Sequence, residues 1–123
     1  MRFMMLVKGN TDYEAGKPPS PALMAAIDKA SKEQREAGIL LDSGGLLPSS
    51  AGAKVTVKGG KATVIDGPFA EAKELIGGYA ILEASSKEEA IRMGREFMQL
   101  HADVLGPSFE GELEIRQLFE HPG

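Results

Sequence analysis

The chain has 123 residues and no cysteine, and its 14 basic and 18 acidic residues give a net charge of −4. This length fits one domain over residues 1–123, and the lack of cysteine excludes disulfides, thiol nucleophiles and thiolate metal sites. The mild negative charge argues against binding to nucleic acid or to anionic membranes, because both need a basic face. No apolar run is long enough to span a membrane, and residues 1–7 are too short for a signal peptide, so we expect a cytoplasmic protein.

The first third of the chain predicts a strand, a loop and a helix. Residues 2–8 predict a strand, and its residues 3–7 are apolar at both alternating sets of positions, which is typical of a strand buried on both sides. Residues 9–19 are rich in Gly, Pro and polar residues and predict a loop. Ser20 is a good N-cap for the helix that follows, and Gly38 ends it. Its apolar stripe includes Met24, which we expect in the core.

The middle of the chain predicts a second strand and a β-hairpin. The strand begins at residues 39–41, and the glycine pair 44–45 is either a bulge or a place where backbone approaches a small molecule. Residues 54–57 and 62–65 have β-type composition and flank the glycines 59–60, which suit a primed hairpin turn.

The second half of the chain predicts a strand, a helix and a final strand. Residues 78–84 form a strand that is largely apolar on both faces. A capping-box pattern begins the helix at residues 85–89, and the Gly-Pro pair at 106–107 stops it. Residues 112–119 form the last strand.

This order of elements predicts an α+β fold of the ferredoxin-like βαββαβ type with an inserted β-hairpin. Such a fold has an antiparallel sheet with both helices on one face, so the other face is bare. The strands at residues 3–7 and 79–84 nevertheless carry apolar residues on both sides. A large apolar face is typical of an interface, so we predict a homodimer with sheets packed face to face.

The loop Asp66-Gly67-Pro68-Phe69, between the hairpin and the next strand, is the first candidate site. Gly67 tolerates unusual backbone angles, and Pro68 fixes its own φ and restricts Gly67, so the loop has a defined shape. Asp66 is a candidate general base if its surroundings are dry. The alternative is that the Asp66 carboxylate only holds the loop by accepting backbone N–H groups.

Other candidate residues are dispersed along the chain. His101, late in the second long helix, is a candidate proton shuttle, or else a solvated histidine at a helix end. Lys8, Arg2, Tyr79 and Lys73 are candidates for binding an anionic or phenolic substrate, or else are surface and packing residues. His121 belongs to the tail. With two histidines twenty positions apart and no cysteine, no metal site is expected.

The Asp66-Gly67-Pro68-Phe69 motif and its surroundings resemble the DGPF-type proteins of the YCII-related group. The resemblance covers nearly the whole chain, through residues 2–8, 44–46, 66–71, 73–74, 78–79 and 112–116. It implies a ferredoxin-like domain that pairs into a dimeric α/β barrel, with Asp66, Gly67, Pro68 and Phe69 as site residues. Members of the wider group look as though they use a His–Asp pair with an early histidine. Both histidines here lie after residue 100, so that pair is not carried over.

Two functions follow from these observations. The first is a small-molecule-binding homodimer that acts as an enzyme without an organic cofactor, with Asp66 as base and His101 as acid. The reaction would be a proton transfer or elimination on a small substrate, aromatic or not, with Gly67, Pro68, Phe69, Tyr79 and Lys8 binding it. The second is a non-catalytic binding or regulatory module, because DGPF-type domains resemble partners of transcription-related proteins in bacteria. Its docking region would be the loop 9–19 and the acidic surface.

Overall fold

The computed structural model describes residues 1–69, 71 and 75–120. The elements in chain order are β1 (Arg2–Lys8), α1 (Thr11–Glu14), α2 (Pro21–Glu36), β2 (Leu40–Gly45), a short 3₁₀ helix (Ser49–Ala51), β3 (Ala53–Lys58), β4 (Lys61–Asp66), β5 (Ile76–Glu83), α3 (Lys87–Leu105) and β6 (Leu113–Gln117). Strands β2, β5, β1 and β6 form one antiparallel sheet in that spatial order, and β3 pairs with β4 alone. The predicted ferredoxin-like fold with an inserted hairpin is confirmed.

Local sequence signals determine where the two long helices begin and end. The Ser20 hydroxyl accepts a hydrogen bond from the Leu23 N–H at the start of α2, and Gly38 leaves the helix at φ +75°. At the start of α3, the Ser86 hydroxyl accepts from the Glu89 N–H, and the Glu89 carboxylate accepts from the N–H and hydroxyl of Ser85. The predicted capping box is therefore confirmed, and it orders the first turn of α3.

The core lies between α3 and one face of the sheet. Phe3 is 2% exposed, and it forms one cluster with residues such as Leu82, Ala90 and Met93. Gly94 allows α3 to approach β6 closely, because a Cβ there would lie 2.9 Å from methyl groups of both Leu113 and Ile115. Successive side chains of β1 point to opposite faces of the sheet, so its buried side chains lie on this face and those of the residues between them lie on the other face.

The other face of the sheet carries no helix in the part of the chain described. Register places Met4 opposite Ile81 and Leu6 opposite Tyr79, and all four side chains are half-buried. This face therefore has an apolar centre within a single subunit, as the sequence predicts.

Three local predictions differ from the structure. Residues 9–19 were predicted as a loop, but they contain the single-turn helix α1, because the Asn10 side chain accepts the Tyr13 N–H at 2.8 Å as an N-cap does. The bulge in β2 lies between Leu40 and Asp42 rather than at the glycine pair, which stays within the strand. Met24 is 41% exposed rather than in the core. Of α2, only Leu23 is buried, because a cavity separates this helix from the sheet.

The hairpin of β3 and β4 extends from the four-stranded sheet. Gly59 and Gly60 have φ values of +60° and +78°, which is the primed turn that the glycine pair predicts. Neither strand packs substantially on another described element of secondary structure. Val55, Val57 and Val64 are between 63% and 69% exposed, so the hairpin presents apolar side chains to solvent.

Candidate functional site

A cavity of about 1330 Å³ lies between helices α2 and α3 and the sheet. Its apolar lining combines aliphatic side chains with four methionines and two phenylalanines, which are Met5, Met24, Met93, Met98, Phe97 and Phe109. Residues of α1 and of the following loop also line it. The volume exceeds that of typical sites for small ligands, which range over about 300–1,000 Å³. The cavity is thus large enough to hold a small organic molecule.

His101 is the titratable residue that α3 places in this cavity. It continues the inward face of α3, one helical turn after Phe97, and it is 8% exposed. Its Nδ1 lies 2.9 Å from the backbone oxygen of Phe97, and its ring lies edge-on to the Phe97 ring with centroids 4.6 Å apart. The Phe109 ring lies 5.7 Å away on centroids. The interpretation of His101 as a solvated helix-end residue is therefore wrong, because its side chain packs between two aromatic rings.

The hydrogen bond of His101 determines which ring nitrogen is available for chemistry. A carbonyl oxygen can only accept, so Nδ1 is the donor and Nε2 of the neutral ring carries the lone pair. Nε2 has no hydrogen-bond partner in residues 1–69, 71 and 75–120, and no side-chain nitrogen or oxygen there is both unpartnered and fully buried. Nε2 therefore remains accessible, as a base of fixed tautomer in a residue that lines the cavity.

Tyr13 lines the same cavity from α1. Burial raises the pKa of the Tyr13 hydroxyl, and a hydrogen bond with the backbone of Leu46 opposes this effect. At neutral pH this hydroxyl is therefore un-ionised and able to donate a hydrogen bond.

The candidate loop around Gly67 is held from outside by the 3₁₀ helix. The Ser49 hydroxyl donates to the Glu14 carboxylate and accepts the Phe69 N–H at 2.8 Å, while the Ser49 N–H donates to the same carboxylate at 2.7 Å. The Gly67 N–H donates to the Gly52 carbonyl at 2.9 Å, and a Cβ on Gly67 would overlap the Ser49 carbonyl. Glycine is thus required at position 67 by close packing of two backbone segments.

Asp66 lies apart from this cavity within one subunit. It ends β4, its side chain is exposed, and it is not among the residues that line the cavity. Its carboxylate accepts no hydrogen bond from the described residues, and the Phe69 N–H donates to the Ser49 hydroxyl, so the alternative in which Asp66 holds the loop stays a prediction. Pro68 follows a cis peptide bond, and the Phe69 ring lies 5.2 Å from the Lys54 ammonium.

Tyr79 and Lys8 are among the strand residues at the edge of the cavity, but the alternation along β5 places the Tyr79 side chain on the bare face of the sheet, beside Leu6. The Tyr79 ring covers Gly44, and its hydroxyl lies 3.3 Å from the Asp42 carboxylate, whose negative charge is the main reason that the pKa of Tyr79 is raised. The Lys8 ammonium lies 3.3 Å from the Glu114 carboxylate. A hydrogen bond from Arg116 and then the contacts with Lys8 lower the pKa of Glu114.

Two other sequence candidates, Lys73 and His121, lie outside the described residues. Within residues 1–69, 71 and 75–120, no three His, Cys, Asp or Glu side chains are grouped as a metal site, and none of the helices has the length and apolarity to cross a membrane. Sequence reasoning missed Tyr13, which it assigned to a loop, and it missed the cavity lining. The helical spacing of Met93, Phe97 and His101 was the available signal for a shared face.

Comparison with known proteins identifies the family of this chain. The model of the YCII-related domain matches residues 1–104, which includes the candidate loop and His101. The chain is also 28% identical over 102 residues to an uncharacterized protein of Rhizobium meliloti (strain 1021), and the alignment covers 83% of this chain and 77% of that protein. The chain therefore belongs to the YCII-related family.

Proposed function

We propose that this chain is a homodimeric small-molecule-binding protein that transfers a proton within the cavity between α2, α3 and the sheet. The observation that carries this proposal is the His101 ring, which is buried at its sides and fixed at Nδ1, with Nε2 accessible and unpartnered. A base in such a setting is ready to act without reorganisation, because its tautomer and orientation are already determined.

The geometry supports abstraction of a proton from a small ligand that is apolar or aromatic. Nε2 takes the proton from a C–H or O–H group of the ligand, and the bonding electron pair stays on the ligand as an enolate or similar anion. The imidazolium formed keeps its Nδ1–H bond to the Phe97 carbonyl, which stabilises the new positive charge. Return of the proton to another atom completes an isomerisation, and departure of a leaving group completes an elimination. Neither step needs a metal or an organic cofactor.

The bare face of the sheet supports the homodimer. Its centre consists of Met4, Leu6, Tyr79 and Ile81, which one subunit leaves half-buried. Contiguous apolar faces of this kind are typical of interfaces, because association removes from water the apolar surface that the monomer exposes. Asp66 stays a candidate base only across such a dimer, since it does not line the cavity of its own subunit.

The assignment of the base is tested with a carbon acid as the probe. We expect the protein to accelerate deuterium exchange from D₂O into the α-methylene group of phenylacetone. Proton NMR measures the rate as the loss of the methylene signal. His101→Asn keeps an N–H donor at the position of Nδ1 for the Phe97 carbonyl but has no base, and we expect it to lower the exchange rate by about 10²-fold, the lower end of the contribution of one positioned base. Asp66→Asn is the matched control and should leave the rate unchanged. Loss of exchange in Asp66→Asn alone would transfer the role of base to Asp66.

A non-catalytic binding or regulatory module is the second candidate function. The exposed apolar hairpin of β3 and β4 favours it, because such a surface is typical of protein contacts. If the rate of deuterium exchange with wild-type protein equals the rate in buffer, and the protein binds an apolar ligand tightly, these results would support the module over the enzyme.

A further inference from the structure

We propose that Arg35 binds the carboxylate of the cavity ligand, and that this ligand is a small carboxylic acid with an apolar body. The inference rests on the ligand site of the proposed function and names the chemical class that the site takes. Arg35 lies in the last turn of α2, is exposed, and lines the cavity. Its guanidinium donates a hydrogen bond to the Ser43 hydroxyl at 3.1 Å. Because β2 is an edge strand, this contact lies where the cavity opens at one edge of the sheet.

The position of Ser43 in β2 places this contact on the cavity side of the sheet. Ser43 pairs with Ala80, Ala80 pairs with Met5, and all three residues line the cavity. Residues directly opposite each other in neighbouring strands share a face, so Ser43 lies on the same face as the buried Met5. The preceding residue, Asp42, lies on the bare face. The guanidinium of Arg35 therefore ends on the cavity face, on the opposite side of the sheet from the Asp42 carboxylate.

The charge of Arg35 is not neutralised by a carboxylate of any residue that the structure describes. The two lysines that line the cavity are both paired, because the Lys8 ammonium lies 3.3 Å from the Glu114 carboxylate and the Lys17 ammonium lies 3.2 Å from the Asp12 carboxylate. A guanidinium carries several N–H donors in a planar fork that matches a carboxylate. The hydrogen bond to β2 holds this fork in place and leaves donors for a ligand.

The acidic residues of the lining determine how an acid would lie in the cavity. Glu110 and Glu112 come just before β6, and β6 and β2 are opposite edges of the sheet, three strand spacings or about 14 Å apart. A carboxylate is repelled at the β6 edge and attracted by Arg35 at the β2 edge. Asp28 is exposed on α2, so water and salt screen its repulsion. The apolar body of the ligand therefore extends toward α3, which carries His101 and packs against β6.

A matched pair of probes and a matched pair of variants test the assignment. The probes are 4-phenylbutyrate and its neutral amide, 4-phenylbutyramide, and NMR titration of ¹⁵N-labelled protein at low salt measures their Kd values. We expect wild-type protein to bind the acid about fivefold more tightly than the amide, which is the upper end of what an exposed ion pair contributes. Arg35→Gln should raise the Kd of the acid about fivefold and that of the amide less than twofold. Arg95→Gln removes the same charge from an exposed residue of α3 that does not line the cavity, and it should leave both Kd values unchanged.

The outcomes separate this proposal from the proposed function. Equal Kd values for acid and amide in wild-type protein, or equal weakening of both by Arg35→Gln, would overturn the carboxylate site and leave an apolar cavity. Binding of neither probe would overturn the carboxylate site and the ligand cavity together. Binding of the acid that depends on Arg35, in a protein that shows no deuterium exchange activity, would support the carboxylate site and contradict only the role of His101 as base. Inorganic phosphate that binds as tightly as the acid would overturn the proposal in favour of a site for bare anions.

Discussion

Replacement of Gly67 by alanine should release the candidate loop from the 3₁₀ helix. The added Cβ would overlap the Ser49 carbonyl and lie 3.2 Å from the Gly52 carbonyl, and both are backbone atoms that cannot rotate away. The loop must therefore retreat, and two hydrogen bonds are lost, from Gly67 N–H to the Gly52 carbonyl at 2.9 Å and from Phe69 N–H to the Ser49 hydroxyl at 2.8 Å. At about 1 kcal/mol for each bond, the loss is about 2 kcal/mol.

Two opposing effects determine the net result of this substitution. Alanine restricts the unfolded chain and returns about 0.4–1 kcal/mol, which is less than the loss, so Gly67→Ala remains destabilising by about 1–1.6 kcal/mol. Hydrogen exchange of the Phe69 amide should therefore accelerate by about tenfold, since 1.4 kcal/mol corresponds to a factor of ten. Gly52→Ala is the matched control, because its Cβ would lie at an ordinary 3.6 Å from the Ser49 carbonyl. Equal protection of Phe69 in both variants would refute this account of the loop.

Two further predictions concern ionisation. Both tyrosines have a raised pKa, so absorbance at 295 nm should show each of them less than half ionised at about pH 10. The stability that this shift contributes is present below the unfolded pKa of about 10 and should be lost as pH rises through the folded values. In a Tyr13→Phe background, Asp42→Asn should bring the pKa of Tyr79 down, whereas an unchanged Tyr79 would mean that Asp42 is not the cause. The hydrogen bond from the Ser85 hydroxyl is the main reason that the pKa of Glu89 is lowered. The stability that ionised Glu89 contributes is therefore present above about pH 4.3 and is lost as pH falls through the folded pKa of Glu89. The difference in melting temperature between wild type and Glu89→Gln should therefore shrink from pH 6 to pH 3, and a constant difference would contradict it.

The elements and their order were predictable because their signals are local. The caps of α2 and α3 and the glycine turn of the hairpin depend on residues within one or two turns of each other. The helix α1 was missed because a single turn capped by Asn10 looks like a polar loop when only composition is considered. The sheet order follows from the order of elements, since the split βαβ arrangement permits few alternatives.

The candidate site was less predictable because it depends on contacts distant in sequence. Ser49 holds Phe69 across 20 positions and Glu14 across 35, and no spacing rule connects them. The burial of His101 depends on where α3 lies against the sheet, and the exposure of Met24 depends on the separation of α2 from it. Apolar residues at helical spacing identify the face of a helix that points toward the sheet, but they do not indicate whether a packed core or a cavity lies between that face and the sheet.

Methyl NMR of protein labelled with [¹³C-methyl]methionine tests the ligand cavity most directly. Of the six methionines, four line the cavity and two do not. The lining four are Met5, Met24, Met93 and Met98. With indole as the probe, we expect saturable shifts of these four methyl signals, while the signals of Met1 and Met4 stay in place. Because Met4 lies on the bare face of the sheet, shifts confined to Met4 would place the ligand there instead and would contradict a binding site beside His101.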